Sequence, residues 1–444
     1  MKKLFYILFS VVFFLAVSVP VFFMPFYEQE STEKRKLSQP PSVLEESGKI
    51  NADFFSDTDT YISEHFAFRS QLVTALSTVK EKALHTSAEE KVVVGKNGWL
   101  FFAETLDDYR GVNQLEEKDV QRIVKTLDLM NDYVTAQGAD FQFMIAPNKN
   151  SLYGEFMPYY YQPAAENTNL ENLTAKLQNR EYFIDAYSLL KAEKRQTYHL
   201  TDSHWNNLGA AIVFDASMKN IKADYTDYLS MPCRVENVHR GDLYGMLYPT
   251  GSKLDEQIVF EYTPNYEYVS NFRSEEDIYI ETACKDKSGN LVVYRDSFCN
   301  ALLPMLADEF GTSVFTREMP YDISIVNEDT TAVIVELVER NLPNLLVSAP
   351  IMKAPLCTDN DSLQLIENSE FYTREKDNML HIYGKLNCET DKDIILSVDG
   401  VFYEAFPIYE AELIDGEATV KSGGFSLYVP ISDTEAKIAV YIKN

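Results

Sequence analysis

The sequence predicts an α/β fold: a mostly parallel sheet with helices on both faces, preceded by one membrane-spanning helix and followed by a small all-β, sandwich-like unit. Three observations carry this. Residues 4–26, "LFYILFSVVFFLAVSVPVFFMPF", hold no charge. From about residue 91, short apolar runs alternate with amphipathic stretches, as strands alternate with helices in a three-layer α/β domain. After about residue 355 only short apolar runs separated by turn residues remain. At 444 residues the chain exceeds one ordinary core. Four segments are expected: a tip and anchor (1–27), a linker and stalk (28–90), an α/β domain (91–350) and a β domain (356–444).

The apolar N-terminal run can cross a bilayer, which needs about 20 residues. A cleaved secretory signal is shorter and ends on small residues. Bulky "VFFMPF" stands there instead, so an uncleaved signal anchor is expected. Lys2 and Lys3 hold the N-terminus in the cytoplasm and place the body outside, against an opposing "EKRK" at 33–36. Residues 28–44 are polar, with Pro40-Pro41, and read as a juxtamembrane linker. In "FFSDTDTYISEHFAFRSQLVTALSTVKEKAL" (54–84), Phe54, Phe55, Tyr61, Ile62, Phe66 and Leu72 recur near a 3.6 period, which predicts a helical stalk. His65 lies in it as a packed or surface histidine.

"KVVVGKNGWLFF" reads as strand, turn, strand. Leu115, Val120, Ile123, Val124, Leu127 and Met130 form one face of a helix that stops at Gly138. "FQFMIA" (141–146) is a buried strand ending in the loop "PNKN". "LTAKLQNRE" is helical and "YFIDA" a strand. "TYHL" reads as a short strand leading into "TDSHW", and "NLGAAIVFDASMKNI" (207–221) as a helix. "LVVY" (291–294) is a strand broken by "RDSF", followed by the helix "ALLPMLADEFG". "TSVFT" and "TAVIVELV" are strands. Parallel sheets bind ligands beyond the carboxyl ends of their strands. The PNK, TDSHW and RDS loops are therefore expected along one edge. "MLHIYGKL", "DIILSVDG", "VFYEAFPI", "FSLYVPI" and "KIAVYI" are the strands of the C-terminal unit.

The net charge is −28 and the pI about 4.6. That argues against nucleic acid, whose binding depends on Lys and Arg neutralising phosphates. It also disfavours a strongly anionic polymer; a neutral or weakly charged substrate fits better. The five cysteines (Cys233, Cys284, Cys299, Cys357, Cys388) show neither zinc-site spacing nor a dense disulfide pattern. No metal site and no cofactor are read from the sequence.

The chemistry-bearing pattern is "TDSHWNNLGA". A serine hydroxyl is a poor nucleophile until a neighbouring imidazole takes its proton, and a carboxylate fixes the imidazole's tautomer. Asp202 and His204, spaced i and i+2, point the same way in an extended segment. The following helix N-terminus is expected to help keep the imidazole unprotonated. The nucleophile candidate is Ser297 in "LVVYRDSFCNALL", where a strand breaks into a polar loop and a helix. Backbone N–H groups at that helix start are the expected oxyanion donors. Each motif alone also reads as a helix cap; together, on one sheet edge, they favour catalysis. Trp205 reads as pocket lining or packing under the loop. Arg317 reads as a substrate contact or a partner of Glu318. Glu336 and Glu339 read as a strand end and solvated charges. No role is assigned to Cys299.

"GKNGWLFF", "APNKNSLYGEFMP", "TDSHWNNLGA", "GDLYGML" and "YRDSFCNALLPMLADEF" stand in the order seen in DHHW-type proteins. Over roughly residues 50–345 the chain resembles the alginate O-acetyltransferase family of SGNH-hydrolase-like proteins. The resemblance implies a circularly permuted SGNH fold, with the Asp-x-His element before the serine. It implies an extracytoplasmic O-acetyltransferase or acetyl esterase acting on a secreted or cell-wall polysaccharide. It further implies a separate multi-pass membrane acyltransferase that supplies acetyl groups. In permuted order the PNK loop takes the place of the block bearing an oxyanion asparagine, so Asn148, with Lys149 beside it, is the candidate. Arg295 stands where SGNH proteins have glycine, which puts an oxyanion contact there in doubt. That departure supports the alternative: an inactive SGNH-like scaffold or glycan-binding component of a polysaccharide export complex. Tyr383, Phe402, Tyr403, Phe406 and Tyr409 read as core and edge aromatics rather than a sugar platform.

Overall fold

The computed structural model describes residues 2–27, 37–44, 47–222, 224–360, 362–367, 369–376, 378–386, 392–414, 417–431 and 436–443. The "EKRK" run and Cys388 lie outside them. Helix α1 (Lys2–Phe23) continues through a tight turn to Phe26. Together they make a helix of 25 residues with mean hydropathy 2.6, long and apolar enough to cross a membrane.

The stalk is two helices, α2 (Phe54–His65) and α3 (Arg69–Val79), not one. The break is at Phe68, whose φ of +64° is left-handed. Tertiary contacts override helical periodicity there. The Ala67 N–H donates to the Pro20 carbonyl at 3.2 Å, and the Phe68 ring meets Phe23 at 6.0 Å and Tyr27 at 5.1 Å.

Strands β1 (Val92–Val94) and β2 (Leu100–Phe102) form the expected hairpin. Next come α4 (Leu106–Arg110), α5 (Glu117–Ala136), β3 (Asp140–Ala146), α6 (Lys149–Leu152), α7 (Asn169–Leu177), β4 (Phe183–Ile184), α8 (Ala186–Ala192) and α9 (Asn207–Ile221). An antiparallel hairpin of β5 (Cys233–His239) and β6 (Asp255–Phe260) follows, with α10 (Asp242–Leu247) in its connection. Strands β7 (Glu267–Tyr268), β8 (Tyr279–Ala283) and β9 (Asn290–Tyr294), helix α11 (Leu303–Ala307), β10 (Thr312–Thr316) and β11 (Ala332–Val338) complete the α/β unit.

The central sheet has the order β4-β3-β11-β9-β10-β8-β7. β4, β3, β11, β9 and β10 are parallel to one another; β8 and β7 close one edge antiparallel. Side chains alternate between the faces, as the pleat requires. Met144, Val293 and Ile334 pack with Leu190, Val213 and Leu303 from α8, α9 and α11. Phe143, Tyr294 and Val335 pack on the other side with Ile123, Leu127 and Leu173 from α5 and α7. This is the three-layer α/β architecture expected from the sequence. Two local expectations fail. "TYHL" joins no sheet; Tyr198 makes a lone bridge to Trp205 that closes the loop on itself. α11 is shorter than expected, because the buried Asp308 just past it turns its carboxylate to the amides of Asn265 and Tyr266 at 2.7 and 2.9 Å.

The C-terminal unit contains β12 (Leu363–Leu365), β13 (Glu370–Lys376), β14 (Met379–Lys385), β15 (Ile394–Val398), β16 (Val401–Glu404), β17 (Phe406–Ile414), β18 (Glu417–Pro430) and β19 (Ile438–Lys443). They form two four-stranded sheets, β12-β19-β15-β16 and β13-β14-β18-β17. Ile382 and Leu427 of one share a core with Leu396 and Val440 of the other, the arrangement of a sandwich.

Candidate active site

The candidate site lies beyond the carboxyl ends of β9 and β11, where the loop from β9 meets the loop that starts α9. Four buried groups hold the second loop. Lys149 donates from Nζ to the carbonyls of Leu100, Leu200 and Asp202 at 2.7, 2.9 and 2.9 Å. The Asp255 carboxylate accepts from the Thr201 amide and hydroxyl at 2.6 and 2.9 Å. The Tyr198 hydroxyl donates to the Pro147 carbonyl at 2.5 Å. Gly241 packs so closely that a Cβ there would lie 2.2 Å from the Thr201 carbonyl oxygen, so no other residue fits without displacing the loop.

Ser297, His204 and Asp202 form an unbroken hydrogen-bonded line. The Ser297 hydroxyl meets His204 Nε2 at 2.8 Å. His204 Nδ1 meets Asp202 Oδ1 at 2.7 Å. The imidazole therefore donates through Nδ1 and accepts from the serine through Nε2. Asp202 is 4% exposed, while Ser297 and His204 are half-buried and open to the cleft. Trp205 ties the two loops together: its indole N–H donates to the Phe298 carbonyl at 2.9 Å, and its ring packs edge-on against Phe298 at 5.2 Å. Trp205 thus both lines the cleft and packs beneath the loop.

The sequence reading missed two residues that complete the site. His239 donates from Nε2 to Asp202 Oδ2 at 2.9 Å, and the Asp242 amide donates to the same oxygen at 2.9 Å. Asp202 Oδ1 also takes the His204 amide at 2.9 Å. Four donors therefore surround one carboxylate. The Asp242 carboxylate in turn accepts from the Ser203 amide and hydroxyl at 2.9 and 2.5 Å. The His239 ring stacks on His199 at 3.7 Å, so three of the six histidines line one cleft. His239 ends a polar, mostly exposed strand, which gives no apolar periodicity. The available signal was "GDLYGML", a polar Gly-Asp pair before an aromatic, apolar run.

Electrostatics follow from this packing. Burial opposes the Asp202 charge, but the His204 and His239 imidazoles outweigh it and hold the carboxyl well below the usual carboxylate range. Burial opposes the His204 imidazolium too, yet Asp202, with Asp242 and Asp296 beyond, raises its pKa above 6.5. This reverses the expected helix-terminus effect: nearby full charges dominate a partial one. Burial pulls His199 down to about 3, which keeps it neutral.

The other predicted site residues lie elsewhere. Asn148 does not line the cleft; it is buried, with Nδ2 donating to Asp108 at 2.9 Å and its amide to Glu339 at 2.8 Å. Lys149 is likewise buried beneath the loop it holds, and burial pulls its pKa to about 7. Arg295 is buried, donating to the carbonyls of Glu275 and Asp277 at 2.8 and 3.1 Å and to Asn300 Oδ1 at 2.8 Å. Arg317 pairs with Glu276 at 2.7 Å, not with Glu318. The Phe298 amide, an expected oxyanion donor, instead donates to Asp296 Oδ1 at 2.9 Å. Glu336 and Glu339 are not solvated; both are buried. Glu336 accepts the Asp296 amide at 3.0 Å, and burial, reinforced by Asp296, raises its carboxyl far above the usual range. Burial pushes Glu339 up to about 8. Cys299 is fully buried, and burial raises its thiol pKa, so it does not compete with Ser297.

The cleft holds about 280 Å³, the small end of ligand-site volumes. Among the described residues, Asp202, His204 and Asp242 are the one group whose ligand atoms cluster closely enough for a metal ion, within 4.8 Å of one another. Asp202 Oδ1 and His204 Nδ1 are already bonded to each other, so an ion there would break the line to Ser297.

Residues 92–278 match a family model described as the SGNH hydrolase-like domain of the acetyltransferase AlgX. The matched stretch contains Asp202, His204, His239 and Asp242 and ends before Ser297. Among solved structures, the chain is similar to a DHHW family protein from Eubacterium siraeum, at 16% identity over 56% of this chain and 94% of that one, with TM-score 0.39. It is similar to the O-acetyltransferase domain of Pseudomonas putida AlgJ, at 18% over 57% and 92%, with TM-score 0.39. It is also similar to Bacillus cereus PatB1, at 15% over 56% and 96%, with TM-score 0.42. No curated protein matches the chain. Over residues 92–278, then, the chain is similar to the SGNH hydrolase-like domain of the acetyltransferase AlgX.

Proposed function

We propose that the protein is a membrane-anchored, extracytoplasmic O-acetyltransferase or acetyl esterase acting on a secreted or cell-wall polysaccharide, with Ser297 as nucleophile, His204 as base and Asp202 as its orienter. The observation that carries this is the continuous line from the Ser297 hydroxyl to His204 (2.8 Å) and on to Asp202 (2.7 Å). The match of residues 92–278 to an acetyltransferase domain supports the reaction class, and the apolar N-terminal helix supports the anchoring.

Ser297 Oγ attacks the acetyl carbonyl of the donor while its proton passes to His204 Nε2. The bond from the acetyl carbon to the donor oxygen breaks, and His204 returns the proton to that leaving oxygen. An acceptor hydroxyl then gives its proton to His204 Nε2 and attacks the acetyl-serine. The Ser297 oxygen leaves and recovers the proton. A sugar hydroxyl as acceptor gives transfer; water gives hydrolysis. Asp202 holds the imidazole in the tautomer both steps need, and His239 and the Asp242 amide hold Asp202. On this reading a multi-pass membrane acyltransferase delivers the acetyl group. The buried Arg295 clamps the 275–277 segment through the carbonyls of Glu275 and Asp277, a structural use for the non-glycine residue.

The test is adduct formation and turnover on the full-length protein in detergent. An aryl sulfonyl fluoride should add once, on the peptide bearing Ser297, and abolish acetyl-ester hydrolysis. Ser297→Ala should take up no adduct and lose roughly 10³-fold or more in kcat. Full hydrolysis by Ser297→Ala would refute the proposal.

A further inference from the structure

The carboxylates of Asp202, Asp242, Glu275 and Glu276 line the cleft, and among the described residues no lysine or arginine does. The two nearest arginines are turned to other work. The terminal nitrogens of Arg295 bond the carbonyls of Glu275 and Asp277 and the Asn300 side chain. Those of Arg317 bond Glu276 Oε2 at 2.7 Å, the Glu275 carbonyl at 3.1 Å and Asn300 Oδ1 at 2.8 Å. Neither guanidinium is left to meet a carboxylate on a substrate. Asp202 is matched by His204 and His239, Asp242 by the Ser203 amide and hydroxyl and by His204 Nδ1 at 3.8 Å, and Glu276 by Arg317. The side chain of Glu275 is exposed and makes no ion pair among the described residues, while its carbonyl is gripped by both arginines. It is therefore a carboxylate on an immobilised backbone at the rim of the cleft. The body beyond adds to the same sign, with net charge −28.

We infer that the acceptor sugar entering this cleft carries a free amine, so that the glycan is one of amino sugars rather than uronic acids. This rests on the acceptor reading above and adds its charge class. An ammonium group beside Glu275 is attracted, a hydroxyl is indifferent, and a carboxylate is repelled with no cation to receive it. One such contact near a protein surface changes affinity by about tenfold, and the whole cleft's potential adds to it at low salt.

Calorimetric titration of the full-length Ser297→Ala protein in detergent, at about pH 6 where a sugar amine is protonated, tests this. Short oligomers of glucosamine, glucose and galacturonic acid are the probes. Expected is a Kd for the glucosamine oligomer at least about tenfold below that of the galacturonate oligomer, with glucose between. Glu275→Gln should shrink the glucosamine-to-glucose ratio by about threefold or more. Galacturonate binding as tight as glucosamine, an unchanged ratio in Glu275→Gln, or no binding of any probe overturns the inference. Because binding is read without turnover, this order stands or falls separately from the nucleophile: a full-activity Ser297→Ala protein would sink the mechanism and leave the preference in place.

Discussion

At the scale of single residues, the proposed mechanism makes the pKa of His204 decide when the site works. A general base must be neutral, and the surrounding acids raise His204 above 6.5. We expect kcat/KM for acetyl-ester hydrolysis to rise with pH along a limb centred above 6.5, measured by a pH–rate profile. His239→Ala should move that limb further up. Without the His239 hydrogen bond, Asp202 keeps more of its charge for His204 and holds its proton more tightly. A limb that does not move would leave His239 as packing only. The sign for stability is opposite: a raised imidazole stabilises the fold fully below about 6.5 and loses that contribution as pH rises through its folded value. On the proposed mechanism the working form is therefore the less stable one. The convergence of Asp202, His204 and Ser297 could be anticipated because all three sit in short polar interruptions of apolar runs. Glu336 and Glu339 were misread for a physical reason: glutamate is normally solvated, and only three-dimensional burial reveals that these two carry raised pKa values.

At the scale of elements, Lys149 joins β2, the start of the histidine loop and Asp202 through three carbonyls. Lys149→Met keeps the volume but leaves those carbonyls without their donor. It should cost about 2–4 kcal/mol of stability in denaturant titration and lower kcat more than it raises KM, since it loosens the base and not the acceptor site. Elements with strong local pattern were legible to the residue: "NLGAAIVFDASMKNI" is α9 (Asn207–Ile221) and "TSVFT" is β10 (Thr312–Thr316). An Asn cap or a Gly punctuates each, and one face of each is apolar. The β5–β6 hairpin was not legible, because "CRVENVH" is polar on both faces and gains its structure from pairing alone. The stalk was read as continuous because periodicity cannot register a fold-back against α1.

At the scale of the whole molecule, the C-terminal sandwich is welded to the α/β unit. Phe406 lies fully buried in the core built on α5. Tyr409 donates to Asp119 at 2.5 Å and lies under the Arg122 guanidinium at 4.4 Å. Lys125 pairs with Glu404 and Asp393 at 2.5 and 3.1 Å. Calorimetry should show one cooperative transition, and a chain ending at about residue 355 should melt about 5 °C lower or more; two independent transitions in the intact protein would argue otherwise. The order of the central sheet has a final consequence. β11, the last strand of the α/β unit to leave the ribosome, belongs in the middle, between β3 and β9. Until residue 338 has emerged, the nascent polypeptide carries two half-sheets with bare edges and a cleft that cannot close around its serine. Synthesis thus delivers an immature chain, one that ripens late and needs sheltering from its neighbours meanwhile.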